Sequence, residues 1–147
     1  MIKNSKIDSA LHVLKGAAQN VLGTTLTTNV YEEGDKGRLT VECTQKPTEE
    51  DIQEVEVQAN AKILENIPIH TLEMDRTEAE TEFGSTIYDK FPVPSHIRQL
   101  RLVQIKDWNI NCCIGNHTST TGEIGRIQIL KYRYRDTKKE LEISFSI

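Results

Sequence analysis

The chain ends in two alternating segments, IQILKYRY at residues 127–134 and LEISFSI at residues 141–147. Alternation of apolar and polar residues is typical of a half-buried β-strand, because successive side chains point to opposite faces. Residues 136–139, DTKK, separate the two segments and have the polar composition of a turn. The end of the chain is therefore predicted to form a β-hairpin.

A second hairpin and two helices are predicted upstream. Residues 30–43 alternate on both sides of the turn sequence EEGDKG, which predicts the hairpin. Apolar residues recur at helical spacing from Ile7 to Leu22, and Gly23 follows as a stop. Residues 47–51, PTEED, have the acids of a first helical turn, and an apolar stripe continues from them to about Leu64.

The middle of the chain mixes shorter elements. Strands are predicted at residues 67–74 and near 100–105, a short helix at 77–83, and a stiff non-helical connection at the FPVP of 91–94. Helices and strands do not alternate regularly, which argues against a parallel doubly wound sheet. The predicted class is α+β, with a mixed, mainly antiparallel sheet whose hairpins pack against two main helices.

Composition restricts the class of protein. The 147 residues are 37% hydrophobic and 27% charged, which predicts one soluble globular domain. The chain contains no membrane-length apolar run or signal peptide, so a cytoplasmic protein without a membrane partner is expected. Three cysteines do not make a disulfide framework. The net charge of −4 argues against a generally basic nucleic-acid binder, and DNA is not an expected partner, although a local patch is enough to contact phosphates.

Basic residues are densest in the last predicted hairpin, at Lys131, Arg133, Arg135, Lys138 and Lys139. In a strand, residues 131, 133 and 135 share one face, and Tyr132 and Tyr134 share the other. Two interpretations are open. The basic face is either a solvated outer surface above a core face with tyrosines, or a strip that contacts phosphates.

Two pairs of metal-ligand residues have a spacing of four. Asp8 and His12 lie in the first predicted helix, where this spacing puts both side chains on one face. Cys113 and His117 lie in a polar stretch near the end of the chain. Carboxylate, imidazole and thiolate are all zinc ligands, so one zinc ion could be held between the helix and a distant loop. The alternative interpretation of the first pair involves no metal: Asp8 is then a charge near the start of the helix, and His12 is a half-buried histidine. Positive charge flanks this pair at Lys3, Lys6 and Lys15, as a polyanionic substrate would require.

Four stretches, taken in order, carry a family resemblance. They are SALHVLKG at 9–16, the segment from FG at 83–84 to FPVP at 91–94, DWNINCCIGNH at 107–117 and TGEIG at 121–125. Together they resemble the short form of the AlaX proteins, which are freestanding relatives of the editing domain of alanyl-tRNA synthetase. The resemblance covers nearly the whole chain and implies that residues 1–147 form a single editing domain.

The resemblance implies a zinc site. In that family a His-x-x-x-His helix and a Cys-x-x-x-His loop hold one zinc ion, and the matching positions here are His12, Cys113 and His117. The first ligand position holds Asp8 instead of histidine. Three interpretations of Asp8 are open: it ligates zinc directly, it hydrogen-bonds a zinc-bound water or a ligand histidine, or it marks a site that has lost metal and activity.

The implied activity is hydrolysis of a mischarged aminoacyl-tRNA, Ser-tRNA(Ala), with Gly-tRNA(Ala) as a second substrate. A synthetase pocket shaped for alanine cannot strongly reject glycine or serine, so a second site must remove the errors. Rough alignment with the family makes Thr27, in the threonine-rich segment 24–28, the candidate contact for the serine hydroxyl. The alternative interpretation is that Thr27 does not contact the substrate, because threonine is common in β-strands.

Two other functions compete with this one. A metal-free, non-catalytic module that binds tRNA or a protein is supported only by Asp8. A metal-dependent hydrolase of another ester or amide is disfavoured by Asp107, Trp108, Asn109 and the TGEIG stretch, which match the tRNA-editing family beyond the ligands.

Overall fold

The computed structural model describes residues 5–24 and 26–147. Lys3 and Thr25, which belong to the flanking charge and the threonine segment, lie outside these residues. The helices and strands follow one another as α1 (Ser5–Leu22), β1 (Thr27–Glu33), β2 (Lys36–Glu42), α2 (Glu49–Glu65), β3 (Ile69–Asp75), α3 (Arg76–Phe83), β4 (Gln99–Ile105), β5 (Asn109–Cys112), β6 (Gln128–Arg135) and β7 (Glu140–Ser146). Single 3₁₀ turns occur at Ser85–Ile87 and Thr121–Ile124.

Local sequence signals set the ends of the two long helices. Gly23 follows α1 with a φ of 71°, a left-handed conformation that suits glycine, and its N–H donates to the Gln19 carbonyl at 2.9 Å. Thr48 caps α2, because its hydroxyl accepts from the Asp51 N–H while the Asp51 carboxylate accepts from the Thr48 N–H. This reciprocal capping box satisfies two backbone donors that the first helical turn leaves without partners.

The strands form two antiparallel sheets. The large sheet has the order β1-β2-β7-β6, and the small sheet has the order β3-β4-β5. In the large sheet the C-terminal hairpin pairs Arg135 with Glu140 and Tyr134 with Leu141. Strand β7 also pairs along its full length with β2, for example Ile143 with Leu39. The hairpin is thereby joined to the hairpin of β1 and β2.

The main core lies between the two long helices and one face of the large sheet. Leu14 of α1, Val55 of α2 and Phe145 of β7 are all fully buried in it. Gly37 of β2 lets Phe145 pack closely, because a Cβ atom there would lie 2.6 Å from the end of the Phe145 ring. A smaller cluster, which includes Ile87 and Leu102, lies under the small sheet and α3.

The α+β prediction is confirmed, with both hairpins and both main helices in place. Two features were not predicted. Strand β5 is short and lies inside the stretch that was noted for its metal ligands, and the strands divide between two sheets. Within the residues described, no helix has the length and apolar composition needed to cross a membrane.

Candidate metal site and adjoining cavity

Helix α1 carries the first pair of predicted ligands. Asp8 and His12 lie in its first turns, and both are almost fully buried. Ser9, between them, accepts a hydrogen bond from the Thr118 N–H at 2.9 Å. This contact fastens the segment after His117 directly to the helix. The ligand-bearing face of α1 is therefore turned toward the polar stretch near the end of the chain.

Cys113 and His117 lie in a loop that begins where β5 ends. Arg101 of β4 holds this loop, because its Nη1 atom donates to the carbonyls of Cys113 at 2.7 Å and Gly115 at 3.0 Å. The Cys113 N–H in turn donates to the Arg101 carbonyl at 3.1 Å. Hydrogen bonds from a charged donor are stronger than neutral ones, so Arg101 gives a short irregular loop a defined shape.

Three of the four predicted ligands meet in space. One ligand atom from each of His12, Cys113 and His117 lies within 4.8 Å of the others. Cys113 Sγ is 3.6 Å from His117 Nε2, and the two imidazole rings are 4.8 Å apart, edge to face. Two imidazoles and a thiol that ionises on binding are donors that suit zinc. This cluster could hold a metal ion.

The orientation of His12 is fixed by Asn109. His12 Nδ1 lies 3.1 Å from Asn109 Oδ1, a contact between residues 97 positions apart. With the proton on Nδ1, this nitrogen donates to Asn109, and Nε2 keeps a lone pair for a metal. Burial holds the pKa of His12 well below 6.5, with Lys15 and His117 acting in the same direction and Asn109 opposing them. His12 is therefore neutral at pH 7, as a ligand must be.

His117 is kept neutral by the same cause. Burial, followed by the positive charges of Arg101 and Lys15, lowers its pKa to about 4.

The thiol of Cys112, next to Cys113 in the sequence, differs from the candidate ligands. Burial raises its pKa to about 11. Cys112 packs against the small hydrophobic cluster and is absent from the metal-ligand cluster among the described residues.

Asp8 lies beside the cluster, on the side of Gly115. A Cβ atom at position 115 would be 2.8 Å from Asp8 Oδ2 and 3.6 Å from Cys113 Sγ. The glycine therefore leaves room for the carboxylate and the thiol on the same side of the loop. Among the described residues, the group of ligand atoms within 4.8 Å does not include Asp8. This position is compatible with a ligand that moves slightly on metal binding or with a partner of the ligands.

A cavity of about 230 Å³ lies between α1 and the two sheets and reaches the residues that support the metal cluster. Thr27 and Asn109 both line it, and Asn109 is the residue that contacts His12. Thr27 is 6% exposed and lies at the start of β1, where the pairing with β2 is irregular. Asn109 therefore links the cavity that holds the candidate substrate contact to the candidate metal site, whose ligands are not among the described residues that line the cavity.

A polar network that was not predicted forms another wall of this cavity. Lys15 Nζ lies 3.4 Å from Asp89 Oδ1 and 3.3 Å from Asn111 Oδ1, and the Lys15 side chain is only 10% exposed. Asn111 Nδ2 donates to the Ile87 carbonyl and to Asp89. The sequence marked Lys15 as a flanking charge, but nothing in it linked Asp89 to the site.

The basic cluster of the C-terminal hairpin is partly neutralised. Arg135 forms an ion pair with Glu142 at 3.1 Å, and Lys139 forms one with Asp136 at 3.0 Å. Tyr134 lies on the other face and donates its hydroxyl hydrogen bond to the Cys43 carbonyl. Arg135 and Tyr134 therefore lie on opposite faces of β6, as the alternation predicts.

Comparison with known proteins identifies the relatives of this fold. Residues 100–143 match the family model described as the threonyl and alanyl tRNA synthetase second additional domain. Alanine–tRNA ligase of Archaeoglobus fulgidus is 43% identical over 124 residues, covering 84% of this chain and 13% of the ligase. The corresponding ligase of Methanococcus maripaludis strain C6 is 34% identical over 145 residues, covering 97% of this chain and 16% of the ligase. The chain is therefore similar to a segment of alanine–tRNA ligases that includes the second additional domain.

The region that matches the family model contains two of the four candidate ligands. Residues 100–143 include Arg101, Asn109, Cys113 and His117, whereas Asp8 and His12 lie upstream of them. The longer match to the M. maripaludis ligase extends over nearly the whole chain. The chain spans about one seventh of the length of these ligases.

Proposed function

We propose that residues 1–147 form a single editing domain that hydrolyses mischarged Ser-tRNA(Ala), with Gly-tRNA(Ala) as a second substrate, at a zinc site. The ligands are His12, Cys113 and His117, with Asp8 as a fourth ligand or a close partner of the others. The observation that carries the proposal is the gathering of the three ligand atoms within 4.8 Å, with Asn109 joining His12 to a cavity that Thr27 lines. The relationship to alanine–tRNA ligases supports the choice of tRNA.

The reaction is hydrolysis of the ester between the amino acid and the terminal ribose. Water adds to the ester carbonyl carbon, the bond from that carbon to the ribose oxygen breaks, and the ribose hydroxyl leaves with a proton. A bound zinc ion supplies Lewis acidity for this chemistry. Asn109 keeps the His12 ring in its ligand orientation, and Arg101 keeps Cys113 and the loop in place.

Thr27 gives the proposed site its selectivity. Its side chain lines a small cavity and is almost fully buried, so a polar group of the substrate loses its hydrogen bonds to water when it enters there. The serine hydroxyl compensates for this loss by forming a hydrogen bond with Thr27. Alanine has no hydroxyl and leaves the buried threonine without this partner, which costs about 1–3 kcal/mol. Ser-tRNA(Ala) is therefore hydrolysed in preference to correctly charged Ala-tRNA(Ala), and Gly-tRNA(Ala), which also lacks the hydroxyl, is the poorer of the two proposed substrates.

The first experiment measures zinc content and deacylation of Ser-tRNA(Ala) and Ala-tRNA(Ala). We expect one zinc per chain and faster hydrolysis of the seryl ester. Cys113→Ala and His117→Ala are expected to abolish hydrolysis, while Cys112→Ala, a change to the adjacent thiol, retains it. Thr27→Val, which keeps the shape and removes the hydroxyl, is expected to reduce the preference for serine over alanine. Full activity in either ligand variant would contradict the zinc-dependent proposal.

The competing function is a metal-free module that binds tRNA or a protein, and Asp8 is the observation that favours it. Asp8→His and Asp8→Ala separate the two. If Asp8 supports zinc, Asp8→His keeps the metal and Asp8→Ala weakens its affinity by about 10-fold or more. A decayed site instead gives a starting protein without zinc or deacylation, and Asp8→His restores one or both. Zinc content and deacylation rate over a pH series for the three proteins decide between them.

A further inference from the structure

Residues 89–91 connect the cavity to the opposite face of the large sheet. Asp89 contacts Lys15 and Asn111 in the cavity wall. The next N–H, that of Lys90, donates to the Thr27 carbonyl at 2.9 Å, which places this segment along the edge strand β1. Lys90 and Phe91 then line a second depression, a groove of about 550 Å³. Within three residues, the chain thus runs from Asp89, which contacts two side chains that line the cavity, into the groove.

The groove crosses all four strands of the large sheet. It is lined by Thr28 and Asn29 of β1, Thr40 of β2, Glu140 and Glu142 of β7 and Arg135 of β6, with Lys138 from the hairpin turn. Arg135 is already paired with Glu142. Lys90 and Lys138 are exposed, and neither forms an ion pair with any residue that the structure describes. Lys90 and Lys138 are therefore available to an anionic ligand, although the carboxylates of Glu140 and Glu142 also line the groove.

Phe91 adds an aromatic surface to these cations. Its side chain is 80% exposed, although a phenylalanine normally favours burial. Aromatic rings on which bases stack, next to cations that contact phosphates, are the combination that binds single-stranded nucleic acid. A folded protein partner would not require unpaired cations around the ring. The two unpaired lysines and the exposed Phe91 ring together favour a single-stranded RNA as the ligand of this groove.

We propose that the groove formed by Lys90, Phe91 and Lys138 binds the unpaired 3′-terminal nucleotides of the tRNA whose aminoacyl end enters the cavity. A base stacks on Phe91, and the two lysines contact neighbouring phosphates. This assignment rests on the proposed function for the identity of the RNA. Of the basic residues in the C-terminal hairpin, the assignment includes Lys138 and excludes Lys131 of β6. Lys131 lines a different depression, against Glu49 and Val57 of α2.

The first test is fluorescence anisotropy with an unacylated RNA minihelix that has a single-stranded 3′ overhang, compared with a blunt-ended minihelix. Phe91→Ala is expected to weaken overhang binding by about 5- to 150-fold, the range that base–aromatic stacking implies, whereas Phe91→Trp retains it. Lys90→Ala combined with Lys138→Ala is expected to lower the slope of log affinity against log salt by about 1.4, the value for two single-strand phosphate contacts. Lys131→Ala serves as the matched control and should bind like the starting protein.

Two outcomes would overturn the groove assignment. In one, Phe91→Ala leaves overhang binding unchanged or weakens binding of the blunt minihelix equally. In the other, Lys131→Ala lowers affinity and salt dependence as much as the groove lysines do. Phe91 and both lysines are exposed, so these variants should fold, and their unfolding curves verify this.

Binding and hydrolysis together separate the groove from the proposed function. If the protein binds the overhang through Phe91 but does not deacylate Ser-tRNA(Ala), the proposed function is wrong and the groove assignment stands. If the protein deacylates Ser-tRNA(Ala) and the groove variants keep the starting KM for this tRNA, the groove assignment is wrong and the function stands. A small seryl ester of adenosine provides a further comparison, because groove variants should hydrolyse it at the starting rate.

Discussion

The substitution Gly115→Ala tests the contact between the ligand loop and Asp8. A methyl group at this position would lie 2.8 Å from Asp8 Oδ2 and 3.3 Å from Asp8 Cγ, closer than an ordinary contact. Asp8 is 7% exposed, so its carboxylate can move away from the added methyl group only by displacing its neighbours. Overpacking of this kind costs about 1–3 kcal/mol. We expect the free energy of unfolding of the metal-free protein to fall by that amount.

A double-mutant cycle assigns the loss to Asp8. In an Asp8→Ala background the carboxylate is absent, so the methyl group at Gly115 meets no close atom of that side chain. The cost of Gly115→Ala should then fall by about 1 kcal/mol or more. Urea unfolding of the four proteins, with a chelator present, measures the coupling. Ile114→Ala is the control in the same loop, because Ile114 is 93% exposed and its loss should change stability by less than about 0.5 kcal/mol.

Zinc titration of the same proteins connects this contact to the metal site. If Asp8 supports the metal, Gly115→Ala and Asp8→Ala each weaken zinc affinity by about 10-fold or more, and the control variant does not. A coupling energy below about 0.3 kcal/mol would show that the two effects simply add, and it would refute the proximity of Asp8 to the loop. Unchanged zinc affinity in both variants would refute a role for Asp8 in metal binding.

Three further predictions concern the surroundings of the site. Arg101→Met removes both loop-holding hydrogen bonds and should lower the free energy of unfolding by about 2–4 kcal/mol, measured by urea; unchanged stability would contradict the clamp. In metal-free protein His117 has a folded pKa of about 4 against an ordinary 6.5, so the unfolded state binds its proton first and stability falls as pH decreases from about 6.5 to 4. His117→Gln should reduce that pH dependence in urea unfolding, and an unchanged dependence would contradict it. Gly16→Ala puts a Cβ atom 2.3 Å from Trp108 Nε1, so the single tryptophan should be displaced and its fluorescence emission should shift to the red; an unchanged spectrum would show that the ring stays in place.

Local patterns determined the secondary structure. The apolar spacing from Ile7 to Leu22, the Thr48 cap and the alternation of residues 127–147 each depend on neighbours within a few positions, and the structure has the predicted helices and hairpins there. The candidate ligands were also visible, because a spacing of four has a meaning within one helix or loop. Strand β5 was not visible, since four residues are too few for a clear alternation.

Tertiary structure decided which distant residues meet. The division of the strands into two sheets, the contact of Asn109 with His12 and the network of Lys15, Asp89 and Asn111 all join residues far apart in the chain. The same packing puts Thr27 into the cavity that Asn109 lines. Sequence periodicity shows which face of an element is buried, but it does not identify the element that covers this face. That choice depends on how all the helices and strands fill the core together, so the sequence could supply candidate ligands but not the residues that support them.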